Sequence, residues 1–174
     1  MSKRLLLQPD LVLGGIVTQL TPEILAQNQI EGLILDVDET LVPIHQTEIT
    51  PELAHWAEQM KQVAQIWLVS NNLSRNRIGT IAKNLDLPYF LGAKKPSRKK
   101  LQQAAAAMKL APSNIAMVGD RLFTDVIAGN RLGMFTVLVE PMVNPAIAER
   151  PFPIRNFEVW LSQKLGISLV SDRT

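Results

Sequence analysis

Five short apolar runs, each stopping at polar residues and separated by stretches of helical period, restrict this chain to a small set of folds. The runs are Leu33-Ile34-Leu35-Asp36-Val37, Ile66-Trp67-Leu68-Val69, Tyr89-Phe90-Leu91, Ile115-Ala116-Met117-Val118 and the stretch from Phe135 to Val139. Their length and branching suit buried strands. Between them lie helix signals. Thr50 serves as an N-cap with Pro51 at the first helical position and Glu52 just inside, opening an amphipathic helix to about Val63 that uses Leu53, Trp56, Ala57 and Met60. Ser74 caps a second helix through about Leu85, Ser97 begins an alanine-rich third to about Leu110, and a fourth from Phe123 to Arg131 closes at Gly133. Asn156 to Leu165 is expected to form a last helix, and Ser168 to Thr174 a frayed tail. The connections are too long for hairpins, so the economical architecture is α/β, a parallel sheet with helices on both faces.

Composition narrows the chemistry. A chain of 174 residues suits one domain with a sizeable core. Zero cysteines exclude disulfides, thiolate metal sites and a cysteine nucleophile, and agree with a cytoplasmic location. His45 and His55 are the only histidines, too few for a three-histidine metal site, and both are read as incidental. A net charge of +2 is too near neutrality to mark a specific nucleic-acid binder. No apolar run is long enough to cross a bilayer. The opening Met1 to Leu7 stretch is broken by Gln8, Pro9 and Asp10, and is read as mature protein rather than a leader. Residues 1–30 form an N-terminal extension whose Leu11, Val12, Leu13, Ile16, Val17 and Leu20 face either the core or a membrane surface; core packing is the favoured reading. The main domain is expected over 31–165, with a tail over 166–174.

In parallel α/β sheets, ligands bind beyond the carboxyl ends of the strands. Those ends carry Asp36 and Asp38, Ser70, Lys95 and Asp120. Asp36 and Asp38 lie two residues apart, so at strand spacing both face the same side. Two like charges so close call for a counter-charge, and a magnesium ion with its preference for oxygen ligands supplies one; Asp120 and Asp125 offer further carboxylates. Each residue also has a plain structural reading. Ser70 can cap a turn, Lys95 can be a solvated charge, and Asp125 can favour a helix start through the dipole.

The ordered set is more specific than its parts. Asp36-Val37-Asp38-Glu39-Thr40, Ser70, Lys95-Pro96 and Gly119-Asp120 with Asp125 resemble the four motifs of the haloacid dehalogenase (HAD) superfamily. More closely, Val69-Ser70-Asn71-Asn72, Ala93-Lys94-Lys95-Pro96 and the stretch from Gly119 through Asp125 to Met134 resemble the YqeG subfamily of HAD-IIIA hydrolases, itself similar to phosphatidylglycerophosphate phosphatases. Glu39 stands where that subfamily commonly has Asn, and Arg121 where it commonly has Gln. The resemblance implies a Rossmann-like three-layer sandwich and a magnesium-dependent phosphatase working through an aspartyl phosphate. It makes Asp36 the nucleophile and Asp38 the acid and base, the latter kept protonated in the first step by neighbouring carboxylates. Magnesium would be held by Asp36, the Asp38 carbonyl, Asp120 and Asp125; Ser70, Asn71 and Lys95 would contact the phosphate, and Thr40 would support the loop.

Ten residues separate Thr40 from Pro51, enough for a flap and too few for an inserted domain, so a HAD fold without a large cap is expected, with an open site suited to bulky substrates. Lys94, Lys95, Arg98, Lys99 and Lys100 crowd five cations into seven positions beside it. In a helix's first turn cations oppose the dipole, which favours a local anion, a lipid headgroup at a membrane among the options. Two rival readings stay open, a phosphate-responsive regulatory module and a non-catalytic scaffold binding a partner protein.

Overall fold

The computed structural model describes residues 6–142, so the expected helix at Asn156 to Leu165 and the tail from Ser168 lie outside the described residues. Six strands form one sheet: β1 (Leu11–Val12), β2 (Gly32–Leu35), β3 (Gln65–Val69), β4 (Tyr89–Phe90), β5 (Ile115–Gly119) and β6 (Phe135–Leu138). Their order is β1-β6-β5-β2-β3-β4, and every pairing is parallel. The chain runs outward from β2 to β4, then returns to the other side of β2 as β5. That reversal opens a crevice between β2 and β5 at their carboxyl ends.

Helices cover both faces because the strands alternate. Leu33 and Leu35 of β2 and Val118 of β5 point to one face, where they meet Leu25 of α1 (Pro22–Gln27), Leu53 and Met60 of α2 (Pro51–Lys61), and Ile78 and Ile81 of α3 (Arg75–Leu85). Ile34 and Met117 point to the other, against Leu101, Ala104 and Met108 of α4 (Lys99–Met108) and Ala128 of α5 (Ile127–Asn130). The three-layer sandwich expected for the HAD fold is therefore present.

Local signals account for most boundaries. Thr50 accepts a hydrogen bond from the Leu53 N–H at 3.2 Å, and Ser74 from the Arg77 N–H at 3.3 Å, as their cap positions predict. The third expected helix begins later than Ser97 predicts: Arg98 occupies the cap position without a side-chain bond, and Ser97 Oγ reaches only the Lys99 N–H, at 3.5 Å. Leu122–Val126 is a π-helical turn rather than the start of an α-helix, and Gly133, at φ +74°, closes α5 as its glycine predicts. The sequence pattern does not single out α1, although Thr21-Pro22-Glu23 repeats the Thr50-Pro51-Glu52 signature and Thr21 caps it at 3.5 Å.

The N-terminal segment belongs to the sheet. β1 pairs with β6, Asp10 accepts from the Thr136 N–H at 2.8 Å and hydroxyl at 2.9 Å, and Asn130 Nδ2 donates to the Leu6 and Gln8 carbonyls. Leu13, Val17 and Leu20 are buried in the core, and the Trp56 indole donates to the Leu20 carbonyl at 2.8 Å. Residues 41–50 form a loop between β2 and α2, so no cap domain is inserted there. Among the described residues no helix is long and apolar enough to cross a membrane.

Candidate active site

The loops after β2, β3, β4 and β5 bring the residues from all four motifs together. Asp36, Thr40, Ser70, Lys95, Asp120 and Asp125 are all buried, against a fold whose other buried side chains are almost wholly apolar. Carboxylate oxygens of Asp36, Asp120 and Asp125 lie within 4.8 Å of one another. Thr40 links two of them, its Oγ1 standing 3.4 Å from Asp36 Oδ2 and 3.4 Å from Asp120 Oδ1. The Lys95 ammonium sits between Asp36, at 2.5 Å, and Asp125, at 2.7 Å. Asn71 braces the Lys95 backbone. Its Oδ1 accepts from the Lys95 N–H at 2.7 Å and its Nδ2 donates to the Lys95 carbonyl at 3.3 Å.

Asp125 shows why a glycine ends β5. Its Oδ2 accepts from the Arg121 N–H at 3.3 Å, and a Cβ on Gly119 would come within 2.2 Å of that oxygen and 2.7 Å of the Asp125 Cβ. Since Lys95 and Arg121 hold the carboxylate from two sides, it cannot step aside. Gly119→Ala should therefore lower stability by about 2 to 4 kcal/mol. Catalysis should fall with it; a variant with unchanged melting temperature and phosphate release would refute the tight fit.

Asp38 interacts electrostatically with Asp36 and is also met by donors: Arg77 forms an ion pair with Oδ1, Asn72 Nδ2 donates to Oδ2 at 3.3 Å, and Ser70 Oγ lies 3.5 Å from Oδ2. Ser70 also accepts from the Asn72 N–H at 3.0 Å, so its turn-capping and site roles coexist. Arg77 lies outside every motif, and Asn72 lies within the Val69-Ser70-Asn71-Asn72 stretch without a role of its own being legible there. One signal was available for Arg77: it stands in the first turn of α3, which holds no acidic residue, and a cation there opposes the helix dipole unless an anion faces it.

Glu39 and Arg121, the two departures from the subfamily pattern, form one ion pair at 3.1 Å across 82 residues of chain. They directly follow Asp38 and Asp120, so the pair ties together the two loops that carry the acids. Arg121 is partly exposed and the pair stands at the rim, which limits its worth. A double-mutant cycle with Glu39→Gln and Arg121→Gln should give a coupling of about 0.5 to 1 kcal/mol in urea unfolding. Purely additive effects would show that the pair does not act as a tie.

Burial and crowding dominate the electrostatics. Desolvation raises Asp36 to about 6, with Lys95 opposing the rise and Asp125 adding to it. Asp120 is pushed up further, to about 8, by burial and then by Asp125 and Asp36, with Arg121 at 3.9 Å giving partial relief. Burial alone would lower Lys95, but Asp125 and Asp36 outweigh it and hold its ammonium firmly charged. Lys95 pairs with two of the three carboxylates and Arg121 stands 3.9 Å from the third, so the remaining negative charge is offset either by protons on Asp36 and Asp120 or by a bound cation. The donor set is all oxygen and buried, which fits a hard divalent ion. All three carboxylates also meet protein groups: Asp36 meets Lys95 and Thr40, Asp120 meets Thr40 and a distant Arg121, and Asp125 meets the Arg121 N–H through Oδ2, while its buried Oδ1 lies beside Lys95 without a hydrogen bond.

A parallel sheet whose switch point holds four carboxylates and a buried lysine matches the HAD type, and its family and relatives make the chain a phosphoric monoester hydrolase. The chain belongs to the mitochondrial PGP phosphatase family, which matches residues 1–144. Among curated relatives, Probable phosphatase YqeG of Bacillus subtilis (strain 168) is 36% identical over 129 residues, 74% of this chain and 74% of that protein. Phosphatidylglycerophosphate phosphatase 1, chloroplastic/mitochondrial, of Arabidopsis thaliana is 31% identical over 172 residues, covering 87% of this chain and 49% of that longer protein. Solved structures share the fold at low identity. An uncharacterized protein from Listeria monocytogenes serotype 4b has a TM-score of 0.54 at 16% identity, covering 79% of this chain and 100% of that one. The 3-deoxy-D-manno-octulosonate 8-phosphate phosphatase from Yersinia pestis has 0.51 at 14% identity, covering 83% and 89%.

Proposed function

We propose that the protein is a Mg2+-dependent phosphatase that forms an aspartyl phosphate on Asp36 and hydrolyses a phosphomonoester presented from outside, with phosphatidylglycerophosphate as the leading substrate. The observation that carries this reading is the Lys95 ammonium held 2.5 Å from Asp36 within the buried carboxylate cluster. Lys95 favours the ionised, nucleophilic form of Asp36 and is positioned to meet a phosphoryl oxygen that approaches it. Asp36, Asp120 and the Asp38 carbonyl would hold the metal, with Asp125 supporting them. Bound there, Mg2+ offsets the negative charge so that an anionic phosphate can approach a carboxylate.

The chemistry balances on two carboxyl groups. A carboxylate oxygen of Asp36 bonds to phosphorus as the bond to the substrate oxygen breaks, and that oxygen takes its proton from Asp38, which has first to pick up a proton from solvent on Oδ2 while Arg77 stays on Oδ1. Asp38 then accepts a proton from the water that attacks the acyl phosphate, which restores both groups and frees inorganic phosphate. Arg77 and Asn72 hold the Asp38 carboxylate in one orientation, while Ser70 has a hydroxyl to offer the phosphate beside it. The absence of an inserted cap domain after β2 supports a bulky substrate, and the lipid identity is drawn from the Arabidopsis relative. A cytoplasmic enzyme working at a membrane surface fits this reading.

Phosphate release measured across soluble phosphomonoesters and phosphatidylglycerophosphate, with and without Mg2+, tests it. Multiple turnovers, metal dependence and a hydroxylamine-sensitive phosphoenzyme are expected. A phosphoenzyme that forms once and persists would favour a phosphate-responsive switch, and inactivity on every substrate would favour a binding scaffold. Preference for a soluble substrate over the lipid would overturn the lipid assignment while keeping the phosphatase.

A further inference from the structure

We propose that the loops after β3 and β4 form a docking face for an anionic bilayer, with Leu73 as its apolar anchor. Residues 70–77 and 91–100 contain seven cations and no acid. Two of these, Arg77 and Lys95, turn inward onto Asp38, Asp36 and Asp125. The other five, Arg75, Lys94, Arg98, Lys99 and Lys100, have no carboxylate partner among the described residues. Arg75 at the start of α3 and Lys100 at the start of α4 line one shallow cavity of about 460 Å³ with Tyr89, Phe90 and Leu91, so cations from both helical layers meet at the β4 edge.

Leu73 gives these cationic loops an exposed apolar side chain. It is 78% exposed, the most exposed large hydrophobic side chain among the described residues. A Cβ on Gly92 would come within 2.8 Å of its Cδ2, so Leu73 lies across the second loop and joins the two. Ile44 is exposed on the neighbouring loop, which Arg77 holds through the Pro43 carbonyl at 3.2 Å. The same two loops thus join an outward-facing aliphatic side chain to five cations that no carboxylate offsets among the described residues. Insertion below anionic headgroups explains both together, because the side chain leaves water while the cations stay at the headgroup level.

Other anionic partners fit less well. Nucleic-acid surfaces stack bases on open rings, but Phe90 stacks on Trp67 at 4.9 Å and is covered by Lys100. An acidic peptide adding to the sheet edge would meet a strand of only two residues. The face borders the loops that carry Ser70 and Lys95, so docking would turn the site toward the lipid surface. That purpose rests on the phosphatase reading; the binding itself does not.

Flotation of the full chain with vesicles of phosphatidylcholine and phosphatidylglycerol in equal parts, and with phosphatidylcholine alone, provides the test. Wild type should float with the anionic vesicles only. Arg75→Glu/Lys99→Glu should weaken binding by at least about tenfold. The neutral change Leu73→Ser should weaken it by about fivefold and leave a larger fraction of what remains sensitive to salt. Hydrolysis of p-nitrophenyl phosphate should stay at the wild-type level in these variants, which also shows that they fold. Failure of wild type to float, or equal flotation of Leu73→Ser and wild type, overturns the proposal. So does single-stranded RNA binding tighter than vesicle binding and indifferent to Leu73. Vesicle binding without any phosphatase activity would instead overturn the proposed function and leave the docking face standing.

Discussion

Asp36→Asn should lower multiple-turnover phosphate release by about four orders of magnitude or more while the protein remains folded. The amide keeps the size of the carboxylate and removes the charge and nucleophilicity that attack on phosphorus needs. Loss of the fold is not an alternative explanation. Burial raises Asp36 to about 6, so its negative charge destabilises the metal-free protein at neutral pH, and Lys95 retains Asp125 at 2.7 Å when Asp36 is neutral. The variant should therefore melt no lower than wild type in EDTA. It should also fail to accumulate the hydroxylamine-sensitive phosphoenzyme. Activity equal to wild type would remove Asp36 as nucleophile, whereas a phosphoenzyme without activity would move the nucleophile to another carboxylate.

That expectation depends on features with different visibility in the sequence. β2, β3 and β5 carry enough consecutive branched residues to identify strands, and their polar ends identify the catalytic edge. β1 and α1 are harder to see because two and six residues are too short to display a period. They exist through tertiary support: the pairing with β6, the Asp10 bonds to Thr136 and the burial of Leu25. Only the Thr21-Pro22-Glu23 cap marks α1 locally.

Within the site, motif order locates Asp36, Asp38, Ser70, Lys95, Asp120 and Asp125, but spacing along a chain does not tell which donors turn to which carboxylate. Carboxylate crowding raises Asp36 and Asp120, and the chain spacing gives no hint that Asp38 also pairs with Arg77. That pairing follows from the direction taken by the loop after β2. It sends Asp36 inward toward Asp120 and Lys95, and Asp38 outward to the first turn of α3. In the same way, Glu39 and Arg121 look like two independent departures in the sequence and become a single interaction only once β2 and β5 are neighbours.

Crowding also makes stability depend on pH and metal together, with a sign that can be stated in advance. For Asp36 and Asp120 the folded protein binds its proton more tightly than the unfolded chain does, whose carboxyls titrate near 3.8. Such groups add stability at low pH and lose it as pH rises through the folded values, here from about 4 to about 8. The rise of Asp120 to about 8 corresponds to roughly 6 kcal/mol over that range, and Asp36 acts in the same direction over the lower half. In EDTA the protein should therefore melt markedly higher at pH 5 than at pH 8. A divalent cation competes with these protons for the same oxygens, so Mg2+ should raise the melting temperature strongly at pH 8 and little at pH 5. Asp120→Asn should flatten both dependences: metal-free stability at pH 8 rises because a buried charge is gone, and the Mg2+ response shrinks because a ligand is gone. Calorimetric scans of both proteins at the two pH values, with EDTA or Mg2+, decide the matter. A wild-type melting temperature in EDTA that is unchanged or rising between pH 5 and pH 8 would show that the carboxylates repel one another less than their burial implies. A Mg2+ response of equal size at both values would place the ion away from them.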